Sequence, residues 1–283
     1  MILVDLNQVM ISNMMMQIGN HKNAMVDENM LRHMILNSLR ANKLKFQSDF
    51  GEMIICADDK NYWRRTRFPY YKANRKKDRE ESELDWSAIF NALNNIREEL
   101  KEYFPYKVIQ IDTAEADDII GTIVHEEGTQ LNTGLPILIL SGDKDYIQLH
   151  TYGNVAQFDP TRKRWIRHSD PEDYLHEHIV KGDRGDGVPN ILSPDNCLVI
   201  GERQGRMTKK RIEESKDINS LDESVKRNYY RNKSLIDLSE VPQNIKDQAL
   251  QKYHADSTND RSKLFDYFVS KRLRTLMEHI SEF

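Results

Sequence analysis

Two cysteines, Cys56 and Cys197, are all that the 283-residue chain contains, too few for a disulfide framework or a structural zinc site. Cys56 lies inside the apolar run Met53-Ile54-Ile55-Cys56-Ala57 and reads as a core residue, and a reducing compartment, the cytoplasm, is expected. Long hydrophobic runs are also missing. None approaches the ~18 residues of a membrane span, so a soluble protein of one large domain, or one and a half ordinary ones, is expected. The start, Met1-Ile2-Leu3-Val4-Asp5, lacks the basic opening of a secretory leader. No Gly-x-x-x-x-Gly-Lys-Ser/Thr occurs, which disfavours a nucleoside triphosphatase. Asp143-Lys144-Asp145 does not open an EF-hand loop, because Gln148 and Asn154 stand where that loop needs Gly and Glu. His176 and His178 are two apart, face different ways on a helix and have no Cys partner, which disfavours zinc. Ser141-Gly142 lacks the surroundings of a nucleophile elbow. With no placed Ser/His pair, water is left as the nucleophile, activated by metal.

Carboxylates are what the chain has in a pattern. Asp5 follows Ile2-Leu3-Val4, and Asp58 follows Met53–Ala57. Glu115, Asp117 and Asp118 open a helix after Val108-Ile109-Gln110-Ile111, while Asp143 and Asp145 follow Ile137-Leu138-Ile139-Leu140. Asp183 and Asp186 come later in a Gly-rich loop. Acids in a helix's first turn, or capping one after a strand, are ordinary taken singly. That reading does not explain Asp5 and Asp58 at the ends of two further strands. If the strands are parallel neighbours, their carboxyl ends share one edge, where open α/β sheets place their sites. So many like charges raise one another's pKa, and hard, oxygen-seeking cations are the usual remedy. The pattern predicts two ions, Mg²⁺ or Mn²⁺.

Strands expected at 2–5, 53–57, 106–111 and 136–141 alternate with helices near 26–42, 86–103 and 114–127. That alternation predicts an α/β fold with a mostly parallel central sheet and helices on both faces. Val155–Phe158 and Arg164–Ile166 are expected to form a peripheral hairpin. Beyond residue 170 the apolar spacing is helical only, so a C-terminal all-helical domain is expected, with domains at 1–180 and 181–283.

The net charge of −4 conceals a basic stretch. Between Lys60 and Arg79 nine cations, Lys60, Arg64, Arg65, Arg67, Lys72, Arg75, Lys76, Lys77 and Arg79, face Asp78 alone. Trp63, Phe68, Tyr70 and Tyr71 are interleaved with them, a mixture that can stack bases and hold phosphates. Crowded cations with few aliphatics predict a hinged element over 60–85. It begins two residues after Asp58, at the rim of the acidic edge.

Taken in order, these motifs resemble the 5′-nuclease (flap endonuclease) superfamily. They are Asp5 after a strand, Asp58 before Tyr62-Trp63-Arg64-Arg65 and Tyr71-Lys72-Ala73-Asn74-Arg75, Glu115-Ala116-Asp117-Asp118, Ser141-Gly142-Asp143-Lys144-Asp145, and Lys181-Gly182-Asp183-Arg184-Gly185-Asp186. The resemblance spans nearly the whole chain and implies a PIN-like nuclease core, with 60–85 as a basic arch. It implies that Asp5, Asp58, Asp117 and Asp143 hold a first ion, with Glu115 and Asp118 reaching it through water. Asp145, Asp183 and Asp186 would hold a second. Lys72 and Arg75 match the arch cations that act on the scissile phosphate. Arg64, Arg65, Tyr71, Lys76 and Lys77 would contact nucleic acid. The family's helical domain binds duplex backbone through a Gly-rich hairpin, often with K⁺. Here Asn190-Ile191-Leu192-Ser193-Pro194 stands in place of the usual Gly-x-Gly, leaving Arg203, Arg206, Lys209 and Lys210 as phosphate ligands. The implied activity is metal-dependent 5′→3′ exonuclease and flap cleavage of RNA·DNA and DNA·DNA duplexes, removing primers in phage replication. A single-stranded-DNA-binding protein or sliding clamp is an expected partner, the host cytoplasm the expected location and a monomer the expected state.

Three other readings fit the motifs less well. A haloacid-dehalogenase-type phosphatase needs a second Asp where Asn7 stands, and PIN ribonucleases are shorter and lack the basic insertion. A DNA-binding replication accessory with a structural cation would need only the basic surfaces.

Overall fold

The computed structural model describes residues 1–18, 27–129, 134–256 and 260–283. β1 (Ile2–Asp5), β2 (Met53–Ala57), β3 (Lys107–Gln110), β4 (Ile137–Leu140) and β5 (Val155–Asp159) run parallel. β6 (Arg164–Ile166) is antiparallel to β5. The strand order is β3-β2-β1-β4-β5-β6. Winding proceeds one way from β1 through β2 to β3 and the other way from β4, so the crevice of a doubly wound sheet opens between β1 and β4.

Two helices, α1 (Leu6–Ile18) and α2 (Glu28–Phe50), join β1 to β2. Between β2 and β3 lie α3 (Trp63–Arg67), α4 (Asn74–Glu80) and α5 (Trp86–Tyr103), and α6 (Ala116–Gly128) precedes β4. A 3₁₀ segment, Lys144–Thr151, leads into β5. Helices then follow alone: α7 (Pro171–Lys181), α8 (Lys209–Glu214), α9 (Glu223–Ile236), α10 (Gln243–His254), α11 (Leu264–Ser270) and α12 (Arg274–Met277).

β1, β2 and β4 are buried along their whole length, which is why they read as unbroken apolar runs. Neighbouring side chains still point to opposite faces. Ile2, Val4, Ile55, Leu138 and Leu140 enter one core with α1, α2, α5, α11 and the terminal Phe283. Leu3, Ile54, Cys56, Ile137 and Ile139 enter another with α6 and α10. A third core joins Phe68 and Tyr71 of the basic segment to Ile179, Val180, Val188, Tyr229 and Leu235. The boundary expected near 180 therefore falls inside a shared core.

Differences from expectation have physical causes. The alternation is as predicted, but α1 was not foreseen, because its Met-rich sequence has little amphipathic contrast; Leu6, Val9, Met10 and Met14 are nonetheless buried. The helix expected at 26–42 begins at Glu28, capped by the Asp27 side chain, and runs on to Phe50; residue 26 lies outside the described residues. The expected hairpin forms at the edge of the sheet, with β6 outermost. β5 pairs with β4 inside the sheet, burying Gln157 and Phe158.

Gly187, at φ 75°, fastens the basic segment to the acidic loop. A Cβ there would lie 2.7 Å from the Tyr70 carbonyl oxygen, and the adjacent Lys72 N–H donates to the Asp186 carbonyl at 2.7 Å. Gly187→Ala is expected to lower unfolding stability by about 1–3 kcal/mol in urea denaturation. Gly153→Ala, where a Cβ meets nothing within 4 Å, should stay within about 0.5 kcal/mol. Equal effects would show that the close approach is not needed.

Candidate active site at the carboxyl edge of the sheet

The carboxyl ends of β1, β2 and β4 deliver Asp5, Asp58 and Asp143 to the crevice. Asp5 is buried, with Ser141 Oγ and Tyr146 Oη each 3.1 Å from Oδ2 and the Gln8 amide donating to Oδ1 at 3.0 Å. Burial, with nearby Asp143, pushes its pKa up to about 6. Asp58 accepts from the Ala116 amide at 2.7 Å, at the first turn of α6. Burial, with Asp5 and Glu115 close by, pushes it up to about 7. Asp143 caps the 3₁₀ segment by accepting from the Asp145 amide at 3.1 Å. Its carboxyl is raised by burial and by Asp186 and Asp183, and that of Asp145 is raised further by burial and the same crowd.

Compensation comes from Arg64. Its Nη1 donates to Glu115 Oε2 at 3.0 Å and lies 3.7 Å from Asp117 Oδ1. Its Nη2 lies 2.8 Å from Asp118 Oδ1, and Nε donates to the Leu235 carbonyl at 2.8 Å. Arg64 is 1% exposed, which corrects its expected place among the nucleic-acid contacts: a guanidinium enclosed by three carboxylates has no face left for phosphate. Tyr71 needs the same correction. It is 2% exposed, and its hydroxyl lies 2.8 Å from Glu115 and 2.9 Å from Asp186, so it holds carboxylates together and presents no ring for stacking.

Lys72 and Arg75 do reach the acidic edge. Lys72, at φ 54°, pairs with Glu115 and lies 3.4 Å from Asp186, which also pairs with Arg75. Burial would raise the Glu115 carboxyl, but Lys72 and Arg64 outweigh it and hold it below the usual range. Asp118 Oδ2 accepts from Trp63 Nε1 and from the Glu115 amide, each at 2.9 Å, while its buried Oδ1 has no hydrogen-bond partner among the described residues. Arg65, Lys76 and Lys77 are exposed, as are Arg203, Arg206, Lys209 and Lys210 around the start of α8.

One residue of the site was missed. His178, in the last turn of α7, lies 3.7 Å from Asp145 Oδ1 and 3.4 Å from Asp183 Oδ2. Its only signal was a position five residues before Asp183, too weak to separate it from His176. A cavity of about 460 Å³ opens beside Gln8, Asp143, Asp145, Tyr174, His178 and Asp183. A slightly larger one, about 490 Å³ between α2 and β5, is lined by Met16, Met34 and Phe158 and has no carboxylate.

The donor set suits divalent cations. Glu115, Asp117 and Asp118 converge, as do Asp145, His178 and Asp183, each trio with ligand atoms within 4.8 Å. Asp117 Oδ1 and Asp118 Oδ1 are both buried with no hydrogen-bond partner among the described residues, although each lies within 4 Å of the Arg64 guanidinium. A buried carboxylate oxygen without a hydrogen bond costs free energy that a cation removes.

Two family models match the chain: the 5′-3′ exonuclease N-terminal resolvase-like domain over residues 3–179 and the T4 RNase H C-terminal domain over 169–283. The chain belongs to the 5′→3′ exonuclease family. The ribonuclease H of Enterobacteria phage T4 is 34% identical over 294 residues, covering 99% of this chain and 95% of that one. Flap endonuclease Xni of Shewanella pealeana is 29% identical over 171 residues, covering 56% of this chain and 60% of that protein. The bacteriophage T5 D15 flap endonuclease, solved with DNA and metal ions, shares the fold at a TM-score of 0.64 and 18% identity, covering 89% and 97% of the two chains. Membership in this exonuclease family makes the chain a phosphodiester hydrolase and sets the phosphatase and accessory readings aside.

For a 5′→3′ exonuclease the crowded carboxyls have a thermodynamic signature. A carboxyl whose folded pKa exceeds its unfolded value keeps a proton that the unfolded chain has released. The stability this contributes is complete below about 3.8 and is lost as pH rises through 6 for Asp5 and 7 for Asp58. In EDTA, the urea midpoint should fall between pH 5 and pH 8, Asp58→Asn should flatten that slope, and Mg²⁺ should restore the midpoint at pH 8. A midpoint that is constant or rises with pH in EDTA would contradict the crowding.

Proposed function

We propose that this 5′→3′ exonuclease is a two-ion flap endonuclease and exonuclease that cuts RNA·DNA and DNA·DNA duplexes from their 5′ ends and removes RNA primers in phage DNA replication. The observation that carries the reading is the convergence of carboxylates from three parallel strands on one edge, beneath Lys72 and Arg75. The name of the relative from phage T4, ribonuclease H, supports the RNA·DNA substrate. We assign Asp5, Asp58, Asp117 and Asp143 to a first ion, with Glu115 acting through water, and Asp145, Asp183 and Asp186 to a second. When bound, Mg²⁺ or Mn²⁺ there lowers the pKa of the attacking water and neutralises charge on the phosphate. Asp118, held by Trp63, Glu115 and Arg64, is assigned with Glu115 to reach the first ion through water.

The chain's own residues do the positioning. Lys72 and Arg75 stand over the carboxylates, where an incoming phosphodiester would draw on their charge in the transition state. Arg65, Lys76 and Lys77 line the approach on one side. Arg203, Arg206, Lys209 and Lys210 form a second basic surface suited to duplex backbone, which makes 181–283 the duplex-binding part. We further propose that the loop at 189–205 closes without K⁺. Its carbonyls already accept side-chain donors: Pro189 from Asn232 and Arg231, Ile191 from Asn228, and Gly205 from Asn190. A monomer acting in the host cytoplasm beside a single-stranded-DNA-binding protein or clamp fits this role. No helix among the described residues is long and apolar enough to cross a membrane.

On a 5′-labelled flap duplex and an RNA·DNA hybrid, cleavage with Mg²⁺ and none with EDTA are expected. Asp143→Asn, which loses charge but keeps shape, should abolish cleavage while leaving duplex affinity within about threefold, a change under 1 kcal/mol. Substantial Mg²⁺-dependent turnover by that variant would overturn the first-ion assignment.

Lys210→Ala should weaken duplex binding and shallow its salt dependence by about one unit of slope, leaving the single-turnover rate at saturation unchanged. Arg75→Ala should do the reverse, slowing turnover by on the order of 10²-fold or more if it acts like an oxyanion donor. Identical behaviour of the two variants would contradict the division between cleavage and binding surfaces.

A further inference from the structure

All the ligands assigned above are oxygens, yet a nitrogen stands at the second position. Between Asp145 at the start of the 3₁₀ segment and Asp183 after α7, the last turn of α7 projects the His178 imidazole, 14% exposed, toward both carboxylates. Ligands about 2.1 Å from a shared ion lie at most about 4.2 Å apart. The atoms offered by Asp145, His178 and Asp183 are within 4.8 Å of one another, so small side-chain rotations bring all three onto one ion. The ring meets Tyr174, one turn earlier, with ring centroids 6.0 Å apart in an edge contact. The cavity of about 460 Å³ reaches the same three residues. His176 faces away, 3.1 Å from both the Ile212 carbonyl and Ser215 Oγ.

Resting on the two-ion reading, we propose that His178 is a direct nitrogen ligand of the cation held by Asp145 and Asp183, and that this position selects a borderline divalent cation of the Mn²⁺ and Co²⁺ class over Mg²⁺. Mg²⁺ keeps an oxygen shell and gives up water reluctantly. Imidazole favours the later first-row metals, and affinity rises from Mn²⁺ to Co²⁺ at a mixed nitrogen and oxygen site. The first position, built from Asp5, Asp58, Asp117 and Asp143, has no nitrogen and stays indifferent. The protein would then work with unlike ions, the second set by the cell's manganese as much as its magnesium.

Electron spin echo spectroscopy of the full chain loaded with Mn²⁺ alone tests the ligation directly. Nitrogen modulation from one imidazole is expected in the wild type and in His176→Gln, and not in His178→Gln. Mg²⁺ should displace Mn²⁺ from one of two sites with difficulty in the wild type, and on the order of tenfold more readily in His178→Gln and His178→Asp. Bound Mn²⁺ without nitrogen modulation in the wild type, or modulation that persists in His178→Gln, overturns the ligation, and the wild-type spectrum decides even if the variants fold poorly. If Mn²⁺ binds and supports cleavage with no nitrogen signal, only the role of His178 falls. If wild type neither binds Mn²⁺ nor cleaves with it, the two-ion reading falls as well.

Discussion

Like-charge repulsion among buried carboxylates governs this structure, and Arg64 is the side chain that makes it bearable. Three acids from the first turn of α6 and the residue before it surround one guanidinium, which is anchored to the Leu235 carbonyl. Removing one partner from a buried ion network costs about 3–5 kcal/mol, so Arg64 cannot also serve a ligand that comes and goes. The pairing holds Glu115 and leaves Asp117 and Asp118 each with one buried oxygen that has no hydrogen-bond partner among the described residues.

The same economy runs through the basic segment. Its nine cations divide by depth. Arg64 and Lys72 turn inward to the acids, Arg75 bridges to Asp186, and Arg65, Lys76 and Lys77 remain outside. Tyr71 and Phe68 sink into the third core, and the Lys72 amide is tied to the Asp186 carbonyl. The base of the segment is thus built into the fold, and any hinge must lie beyond Lys72, in the exposed α4. Lys76–Glu80 and Lys77–Glu81 are both exposed and 3.8 Å apart, so they add little to its order.

The sheet was legible because β1, β2 and β4 are buried on both faces and must read as unbroken apolar runs, and because the carboxyl end of each carries an acid. The α1 helix was not, since a Met-rich helix pressed against the sheet needs no polar face to mark its period. Gln157 interrupts the apolar character of β5, and its amide donates to the Ser141 carbonyl at 3.0 Å, close to the acids. Among the site residues the acids were legible by position. The inward turn of Arg64 and Tyr71 was not, because nothing in a run of alternating cations and aromatics says which of them face the core. His178 was hidden for a related reason: residues from different elements meet only when α7 is packed against the 3₁₀ segment.

Anomalous scattering from crystals grown in Mn²⁺ tests the central claim, that the acidic edge is completed by two divalent cations, most directly. The account predicts two peaks, one among Asp5, Asp58, Asp117 and Asp143 and one against Asp145 and Asp183. No peak at either place, with the carboxylates still paired to Arg64, Lys72 and Arg75 alone, would contradict it.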